Sequence, residues 1–304
     1  MPKVTVGLPV YNGEQFLRQA VNSILGQTFT DLELVIFDNA SADGTESICR
    51  EYAARDARVR YYRNAANLGA GRNYNLTFEH AAGTYFKWAA HDDYLAPDFI
   101  RVCHDVLERN PDAALAFSRM VDVDEEGKVV ASKPKSALPR SERGGHPVRH
   151  IRFHRLMQLD YDVEEIFGLV RSDLLRRTKL FLNYSDSDRT LLAELALYGT
   201  IHEVPEVLFF HRVHPESSVK VFPTREERMA WFDPRLAGRT VFPRHRQILE
   251  YFRVLCRVPL SAGDRLRCAA HVLDYARGQR GALRSEVRKA WRRRFGSSAQ
   301  RTAS

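Results

Sequence analysis

The chain has 304 residues, of which 44% are hydrophobic, 11% aromatic and 28% charged, with 17 glycines and 13 prolines. These proportions are ordinary for a globular protein and exclude collagen-like, low-complexity and wholly disordered chains. The length allows one large domain or two modest ones with a substantial core.

Charge is distributed unevenly along the chain, whose net charge is +8. Residues 225–304 hold 19 Lys and Arg against 7 Asp and Glu, whereas residues 1–224 hold 27 against 31. A mildly acidic body therefore carries a strongly basic C-terminal region. This asymmetry favours a polyanionic partner for the C-terminal region rather than for the whole protein.

Cysteine spacing and hydropathy indicate the compartment. Cys49, Cys103, Cys256 and Cys268 are far apart and form no zinc-type motif, which predicts reduced, buried thiols. The segment MPKVTVGLPV is typical of a first strand rather than a signal peptide, and no run of 18 apolar residues is present. We expect a cytoplasmic protein and leave open peripheral contact with the inner face of the cell membrane.

Strand and helix patterns alternate in the first 110 residues. Apolar runs predict strands at 4–9, 32–37, 59–62 and 85–89, and helical spacing predicts helices at 14–27, 43–55 and 71–82. The alternation predicts an α/β fold with parallel strands and helices on both faces of the sheet. In such sheets, ligands bind beyond the carboxyl ends of the strands.

The pattern changes after residue 110. We predict a strand at 113–121, a turn at 124–128, a mobile loop at 133–147, helices at 148–159 and 188–198, and a strand at 206–210. The last 80 residues are predicted to be helical, with one apolar stripe formed by Ile248, Leu249, Phe252, Leu255 and Cys256. The composition of the 133–147 loop also makes it a candidate lid.

Polar clusters follow three of the predicted strands. Asp92 and Asp93 can hold a divalent cation, Mg²⁺ or Mn²⁺, that bridges a diphosphate, although a solvated turn or a helix cap is the alternative. Asp38 and Asn39 suit the polar edge of a base, and Tyr11 suits stacking on a base, the alternatives being a turn and plain packing.

The order of these clusters resembles a known family. PVYNGEQFLRQAVNSILGQTFTDLELVIFDNASADGT, then NLGAGRNYNL, then the aspartate pair, is similar to the nucleotide-binding half of family 2 glycosyltransferases. These are inverting, metal-dependent enzymes of the GT-A fold that use sugar nucleotides. The resemblance is dense from Lys3 to about Asp124, and a thinner match returns at 187–195 and 204–215.

The resemblance implies a role for each matching residue. Those expected to line the nucleoside and diphosphate site are Pro9, Tyr11, Asn12, Glu14, Asp38, Asn39, Arg72 and Asp92. Asp93 is implied as the direct metal ligand, with His214 as an added imidazole ligand; a His that only hydrogen-bonds backbone is the alternative. Many members have a second Asp in place of Asn39, which leaves the choice of base open.

The resemblance also implies the general base that inverting transfer needs. Asp188 lies where the family places that carboxylate, and Asp186 is the alternative within the sequence YSDSD. Asp188 can also cap the helix that follows it.

The C-terminal end carries a second apolar stripe. Leu283, Val287, Trp291 and Phe295 are spaced four residues apart among arginines, which is typical of a helix at a membrane interface. Packing of the stripe on the body or on a second subunit is the main alternative, and no nucleic-acid motif is present.

These observations combine into one functional hypothesis. We expect a GT-A type, Rossmann-like mixed sheet flanked by helices at 1–224, with a nucleotide-binding half (1–125) and an acceptor half (126–224), followed by a basic helical region (225–304). The enzyme is expected to move a sugar from a nucleoside-diphosphate donor, UDP- or dTDP-linked by preference, to a saccharide or lipid-linked acceptor in surface polysaccharide assembly. A catalytically silent nucleotide-binding subunit or a membrane-associated scaffold is the alternative, and an oligomer is left open.

Overall fold

The structure, a computed structural model, describes residues 1–130, 144–158 and 163–295. The strands are β1 (Val4–Val10), β2 (Leu32–Asp38), β3 (Val59–Arg63), β4 (Tyr85–Trp88), β5 (Tyr94–Leu95), β6 (Ala113–Val123), β7 (Leu169–Arg171) and β8 (Thr200–Arg212).

Helices follow most of the strands and make up most of residues 225–295. They are α1 (Glu14–Leu25), α2 (Thr45–Arg55), α3 (Ala70–Glu79), α4 (Phe99–Arg109), α5 (Arg149–Met157), α6 (Ser172–Leu175), α7 (Ser187–Tyr198), α8 (Ser218–Val221), α9 (Arg225–Phe232), α10 (Pro243–Arg257), α11 (Ala262–Gly278) and α12 (Arg280–Phe295).

The eight strands form one mixed sheet in the order β3-β2-β1-β4-β7-β6-β8-β5. The strands β1 to β4 are parallel, as the alternating pattern predicts, and β6 pairs in parallel with β8. The short strand β7 is antiparallel to both β4 and β6, and β5 is antiparallel to β8. The predicted Rossmann-like mixed sheet with flanking helices is confirmed.

Each face of the sheet carries its own core. Leu17, Val21 and Ile24 of α1 pack on one face of the strands, together with residues of α2 and α4. The other face is covered by residues from α3, α5, α7, α10 and α11. The C-terminal helices therefore pack on the same core as α3 and α7.

A glycine allows one helix to approach the sheet closely. A Cβ at Gly7 in β1 would lie 2.5 Å from Thr77 Oγ1 and 2.6 Å from Phe86 Cζ. Since real side chains do not approach so closely, glycine at this position lets α3 lie directly against β1. The first turn of α3 is thereby held near the carboxyl end of β1.

Three predictions need correction and one lies largely outside the described residues. Cys256 is exposed, while the other three cysteines are buried and all four are free. In the stripe predicted on α10, Leu249 is also exposed, because that helix instead buries Tyr251, Val254 and Leu255. The strand predicted at 206–210 is the 13-residue β8. Of the predicted loop at 133–147, residues 133–143 lie outside the described part.

Candidate active site

The loops after β1 and β2 are joined by hydrogen bonds at the carboxyl edge of the sheet. The backbone N–H of Asn12 donates to Ser41 Oγ at 2.9 Å, and Asn12 Oδ1 accepts from the N–H of Ala42 at 2.9 Å. Glu14 Oε2 accepts from the N–H of Gly44 at 2.9 Å. Asn12 has a φ of 50°, a left-handed conformation that asparagine tolerates better than most residues. Asn12 and Glu14 thus hold the two loops together.

Asp38 is fully buried at the end of β2. Its carboxylate accepts hydrogen bonds from the N–H of Ser41 at 2.8 Å, from the hydroxyl of Tyr61 at 3.0 Å and from Nε of Arg63 at 3.2 Å. Asp38 therefore fixes the start of the loop that carries Asn39. Contact with a base stays a prediction for this residue.

Asn39 is the first of four asparagines whose side chains bond to one another. Asn39 Oδ1 accepts from Asn64 Nδ2 at 3.0 Å, and Asn39 Nδ2 donates to Asn67 Oδ1 at 2.9 Å. Asn64 Nδ2 also donates to Asn73 Oδ1 at 2.9 Å, and Asn73 Nδ2 donates to the carbonyl of Phe37 at 2.8 Å. The asparagine cluster (Asn39, Asn64, Asn67 and Asn73) fixes this edge of the sheet without a ligand.

Three further residues assigned to the nucleotide site, Pro9, Tyr11 and Arg72, differ in their exposure and contacts. Pro9 is buried within β1, whereas the ring of Tyr11, just beyond the strand, is 44% exposed. Tyr11 is thus accessible to a ring stacked on it. Arg72 forms an ion pair with Glu79 on the exposed side of α3. Contact with a diphosphate stays a prediction for Arg72.

The aspartate pair meets the end of β8. Asp92 Oδ2 lies 3.0 Å from His214 Nε2, and Asp93 Oδ1 accepts the backbone N–H of Arg212 at 2.9 Å. The buried Arg212 guanidinium donates to the carbonyls of Asp92 at 2.9 Å and of Asp124 at 2.8 Å. His91, the residue before the pair, packs on Gly13, where a Cβ would lie 2.6 Å from its ring. The structure therefore brings Asp92, Asp93 and His214 together.

The electrostatics of the pair suit a cation. Burial and the neighbouring Asp92 carboxylate raise the pKa of Asp93. Burial acts to raise the pKa of Asp92. The charge of His91 and the hydrogen bond with His214 outweigh this effect and lower that pKa. A divalent ion would relieve the repulsion between the buried Asp93 carboxylate and the partly buried Asp92 carboxylate.

His214 is almost completely buried, with 5% of its surface exposed. Its Nδ1 is buried and has no hydrogen-bond partner among the residues described. In the part of the chain that the structure describes, no three His, Cys, Asp or Glu side chains are already arranged to hold a metal. Asp93 and His214 therefore fit a divalent cation as two ligands, with the remainder left to the diphosphate and water.

Asp188 and Asp186, at the start of α7, have different environments. Asp186 forms ion pairs with Arg225 at 2.6 Å and with Arg244 at 3.6 Å. Asp188 accepts the N–H of Arg189 at 2.7 Å, and no ion pair to it is present among the described residues. Burial, followed by the charge of Asp186, raises the pKa of Asp188 to about 6. This value suits a general base that works near neutral pH.

Tyr74 of α3 is affected both by the Asp92–Asp93 pair and by Asp188. Its ring packs on Phe181 with the centroids 5.1 Å apart. After burial, the charges of Asp92, Asp93 and Asp188 all raise the pKa of Tyr74. The charges of all three carboxylates therefore act on the same phenol.

Sequence reasoning missed residues that are distant in the chain but contact the loop before α7 and the start of α3. Arg225 and Arg244 belong to the C-terminal region, and Phe232 of α9 contacts Gly71 of α3, where a Cβ would lie 2.4 Å from its ring. Arg212 is adjacent to His211 in the sequence, but nothing in the sequence indicates the backbone carbonyls that it binds. The basic composition of residues 225–304 signals abundant cations without indicating which acid each one meets.

Comparison with known proteins identifies the family. The model of "Glycosyl transferase family 2" matches residues 5–176, more than half of the chain. An uncharacterized glycosyltransferase of Haemophilus influenzae is 25% identical over 234 residues, covering 75% of this chain and 71% of the relative. The chondroitin synthase of Escherichia coli is 32% identical over 132 residues, covering 43% of this chain but only 19% of that longer protein.

Solved structures share the fold at low identity. The S. aureus TarS 1-349 structure in complex with UDP-GlcNAc has a TM-score of 0.62 and 16% identity, covering 89% of this chain and 71% of that one. The mannosyltransferase PcManGT of Pyrobaculum calidifontis, in complex with GDP-Man and Mn²⁺, has a TM-score of 0.57 and 17% identity, covering 94% and 73%. With a GT-A fold and a family match over residues 5–176, the chain belongs to glycosyltransferase family 2.

Proposed function

We propose that the protein is an inverting glycosyltransferase that moves a sugar from a nucleoside-diphosphate donor to a hydroxyl of a saccharide or glycolipid acceptor. One observation carries the proposal: Asp188 has no ion pair among the described residues and a pKa raised to about 6, and its charge acts on Tyr74 together with the charges of Asp92 and Asp93. The neighbouring Asp186 is held by two arginines, which favours Asp188 as the base.

One group of residues is proposed to bind the sugar-nucleotide donor. Tyr11 would stack on the base, and Asp38 and Asn39 would present polar groups at its edge. Asp93 and His214 would hold Mg²⁺ or Mn²⁺, which when bound neutralises charge on the departing diphosphate. UDP- or dTDP-sugars are the favoured donors.

Asp188 acts on the acceptor. It takes the proton of the acceptor hydroxyl while that oxygen forms a bond to the anomeric carbon. The bond from this carbon to the diphosphate oxygen breaks, and the nucleoside diphosphate leaves with the bonding electron pair. A single displacement of this kind inverts the anomeric configuration.

Calorimetric titration tests the donor site. Purified protein is titrated with UDP, dTDP and GDP, each with Mn²⁺ and with EDTA, and the titrations are repeated with Asp93→Ala. We expect one nucleotide to bind only with metal, and this binding to be lost in the variant. Leu266→Ala, a substitution at an exposed residue of α11, is the control and should bind as the wild type does.

Turnover distinguishes the enzyme from its alternative. Release of nucleoside diphosphate from the sugar donor that matches the preferred base, in the presence of saccharide acceptors, is expected for a transferase. Nucleotide binding without turnover on any acceptor would instead support a silent nucleotide-binding subunit. An absence of binding to all three nucleotides would contradict the donor site itself.

We also propose a biological setting for the enzyme. A role in surface polysaccharide or glycolipid assembly at the inner face of the membrane is consistent with the basic C-terminal region. No helix in the described ranges is long and apolar enough to cross a membrane.

A further inference from the structure

The last helix, α12, packs on the body with its polar side. Glu286 accepts the backbone N–H of Arg244 at 2.9 Å and lies 2.8 Å from His245 Nδ1. Lys289 forms an ion pair of 2.9 Å with Glu226 of α9. Positions 286 and 289 share one helix face, so it is this face that contacts the body.

The opposite side of α12 presents apolar residues to solvent. Val287, Trp291 and Phe295 are 53%, 62% and 51% exposed. They continue the row that begins at Leu283, at the four-residue spacing of one helix face. A helix on the surface of a globular protein normally buries its apolar face, and α12 does the reverse. Three of the four stripe residues are therefore exposed in the described part of the chain.

A row of arginines runs beside the apolar row. Arg284, Arg288 and Arg292 are exposed, and each directly follows an apolar residue of the row in the sequence. None of the three forms an ion pair with an acid in the described segments. Together the two rows make the outward face of α12 (Leu283, Val287, Trp291, Phe295, Arg284, Arg288 and Arg292).

We propose that the outward face of α12 is a docking surface for a membrane that contains anionic phospholipids. Val287, Trp291 and Phe295 enter the boundary between headgroups and acyl chains. The arginines beside them lie level with the lipid phosphates. The net charge of +12 over residues 225–304 attracts the same surface at longer range.

Charge complementarity favours a membrane over a second copy of the chain. A symmetric dimer places the same patch of each subunit against the other, which would bring Arg284, Arg288 and Arg292 against their own copies. A nucleic acid would satisfy the arginines but offers no apolar surface to the aliphatic side chain of Val287. An anionic lipid surface satisfies both rows.

Two ion pairs connect α12, through α9, to the loop that precedes Asp188. Lys289 binds Glu226, and the adjacent residue, Arg225, binds Asp186. Docking through α12 would therefore hold Asp188, the proposed general base, near the membrane, where a lipid-linked acceptor resides. This last step rests on the proposed function, whereas the docking itself does not.

Vesicle sedimentation of the full chain tests the proposal. The protein is mixed, without nucleotide, with vesicles of phosphatidylcholine alone or with added phosphatidylglycerol. We expect binding only to the anionic vesicles. Binding should fall roughly fivefold for each of Arg284→Gln, Arg288→Gln and Arg292→Gln, since each surface cation contributes about 1 kcal/mol. The double variant Val287→Ser, Trp291→Ser should lose most of the binding at unchanged charge.

Matched controls lie on the acidic body. Arg109→Gln removes an exposed arginine of α4, and Val129→Ser removes an apolar residue that is 67% exposed. Both should bind vesicles as the wild type does. Circular dichroism checks that each variant is folded, and these substitutions are at exposed positions that are expected to tolerate them.

Three outcomes would overturn the proposal. These are equal binding to both kinds of vesicle, binding that survives the double variant, and a concentration-dependent dimer in lipid-free solution that the double variant abolishes. The third would assign the face to a second copy of the chain. Because no sugar donor is present, none of these outcomes bears on whether the protein is a transferase.

Discussion

The Arg225 guanidinium lies 2.6 Å from the Asp186 carboxylate, and so links the first helix of the basic C-terminal region to the loop before α7. Asp186 has a φ of 69°, a left-handed conformation in which a non-glycine residue needs support from its surroundings. Arg246 adds a hydrogen bond to Asn183 in the same loop. The C-terminal helices therefore hold the segment that presents Asp188.

The first prediction separates the two aspartates. Asp188→Asn should lower turnover by roughly 10²–10⁴-fold, the range typical of a lost general base, with nucleotide binding unchanged. Asp186→Asn removes a carboxylate that is tied to arginines and should retain far more activity. Steady-state kinetics and nucleotide calorimetry on both variants provide the measurement. A larger loss in Asp186→Asn than in Asp188→Asn would reverse the assignment.

The second prediction concerns pH. Asp188 must be ionised to accept a proton, so the rate should rise with pH through about 6, the raised pKa of this residue. Arg225→Gln leaves the charge of Asp186 less compensated and should move this limb to higher pH, while Arg225→Lys should move it less. Asp186→Asn removes the charge and should move the limb to lower pH. Identical pH–rate profiles for all the variants would show that the limb belongs to another group.

The third prediction tests the buried Arg212. Its guanidinium donates to the carbonyls of Asp92, Asp124 and Glu125 and to Gln19 Oε1, a set that the single nitrogen of a lysine cannot reproduce. Arg212→Lys should lower the free energy of unfolding by about 3 kcal/mol, measured by urea denaturation. Arg119→Lys, at an exposed arginine paired with Glu203, should change it by no more than about 0.5 kcal/mol. Equal, small changes in both would contradict a supporting role for Arg212.

The fourth prediction uses a histidine cluster between α5 and α11. The rings of His154 and His271 stack with centroids 4.4 Å apart, and His150 Nδ1 lies 3.2 Å from His271 Nε2. Burial lowers the pKa of both His154 and His271, and Asp274 opposes the shift in each. The folded state therefore favours neutral rings.

Acid should consequently destabilise the wild type through this cluster. Because the unfolded chain binds these protons more readily, the cluster's contribution to stability is complete above about pH 6.5 and declines as the pH falls below that value. The His271→Gln variant should lose less stability between pH 7 and 5 than the wild type, compared by urea denaturation at each pH. A steeper loss in the variant would contradict this account.

The sequence predicts local structure well and contacts between distant segments poorly. Apolar runs and helical spacing identify β1 to β4 and the helices between them, because each element buries a periodic set of its own residues. The strands β5 and β7 have two and three residues and show no periodicity, so their places in the sheet depend on tertiary pairing alone.

The candidate site shows the same division. The resemblance assigns Asp92, Asp93 and Asp188, and the charges of all three raise the pKa of Tyr74. The pairing of Asp186 with Arg225, 39 residues away, leaves no trace in a sequence that contains many arginines. Likewise, the apolar stripe of α12 is readable from its spacing, but the direction in which it faces is set by Glu286 and Lys289 on the other side.

The order of the strands limits how this protein can be divided. Residues 94–95 pair with β8, and β7 lies between β4 and β6, so each half of residues 1–224 contributes strands that border the other. A graft of residues 1–125 onto the second half of another family member would have to recreate those pairings and the carbonyl contacts of Arg212. Donor and acceptor preference are therefore better exchanged loop by loop at the carboxyl edge than by swapping whole halves.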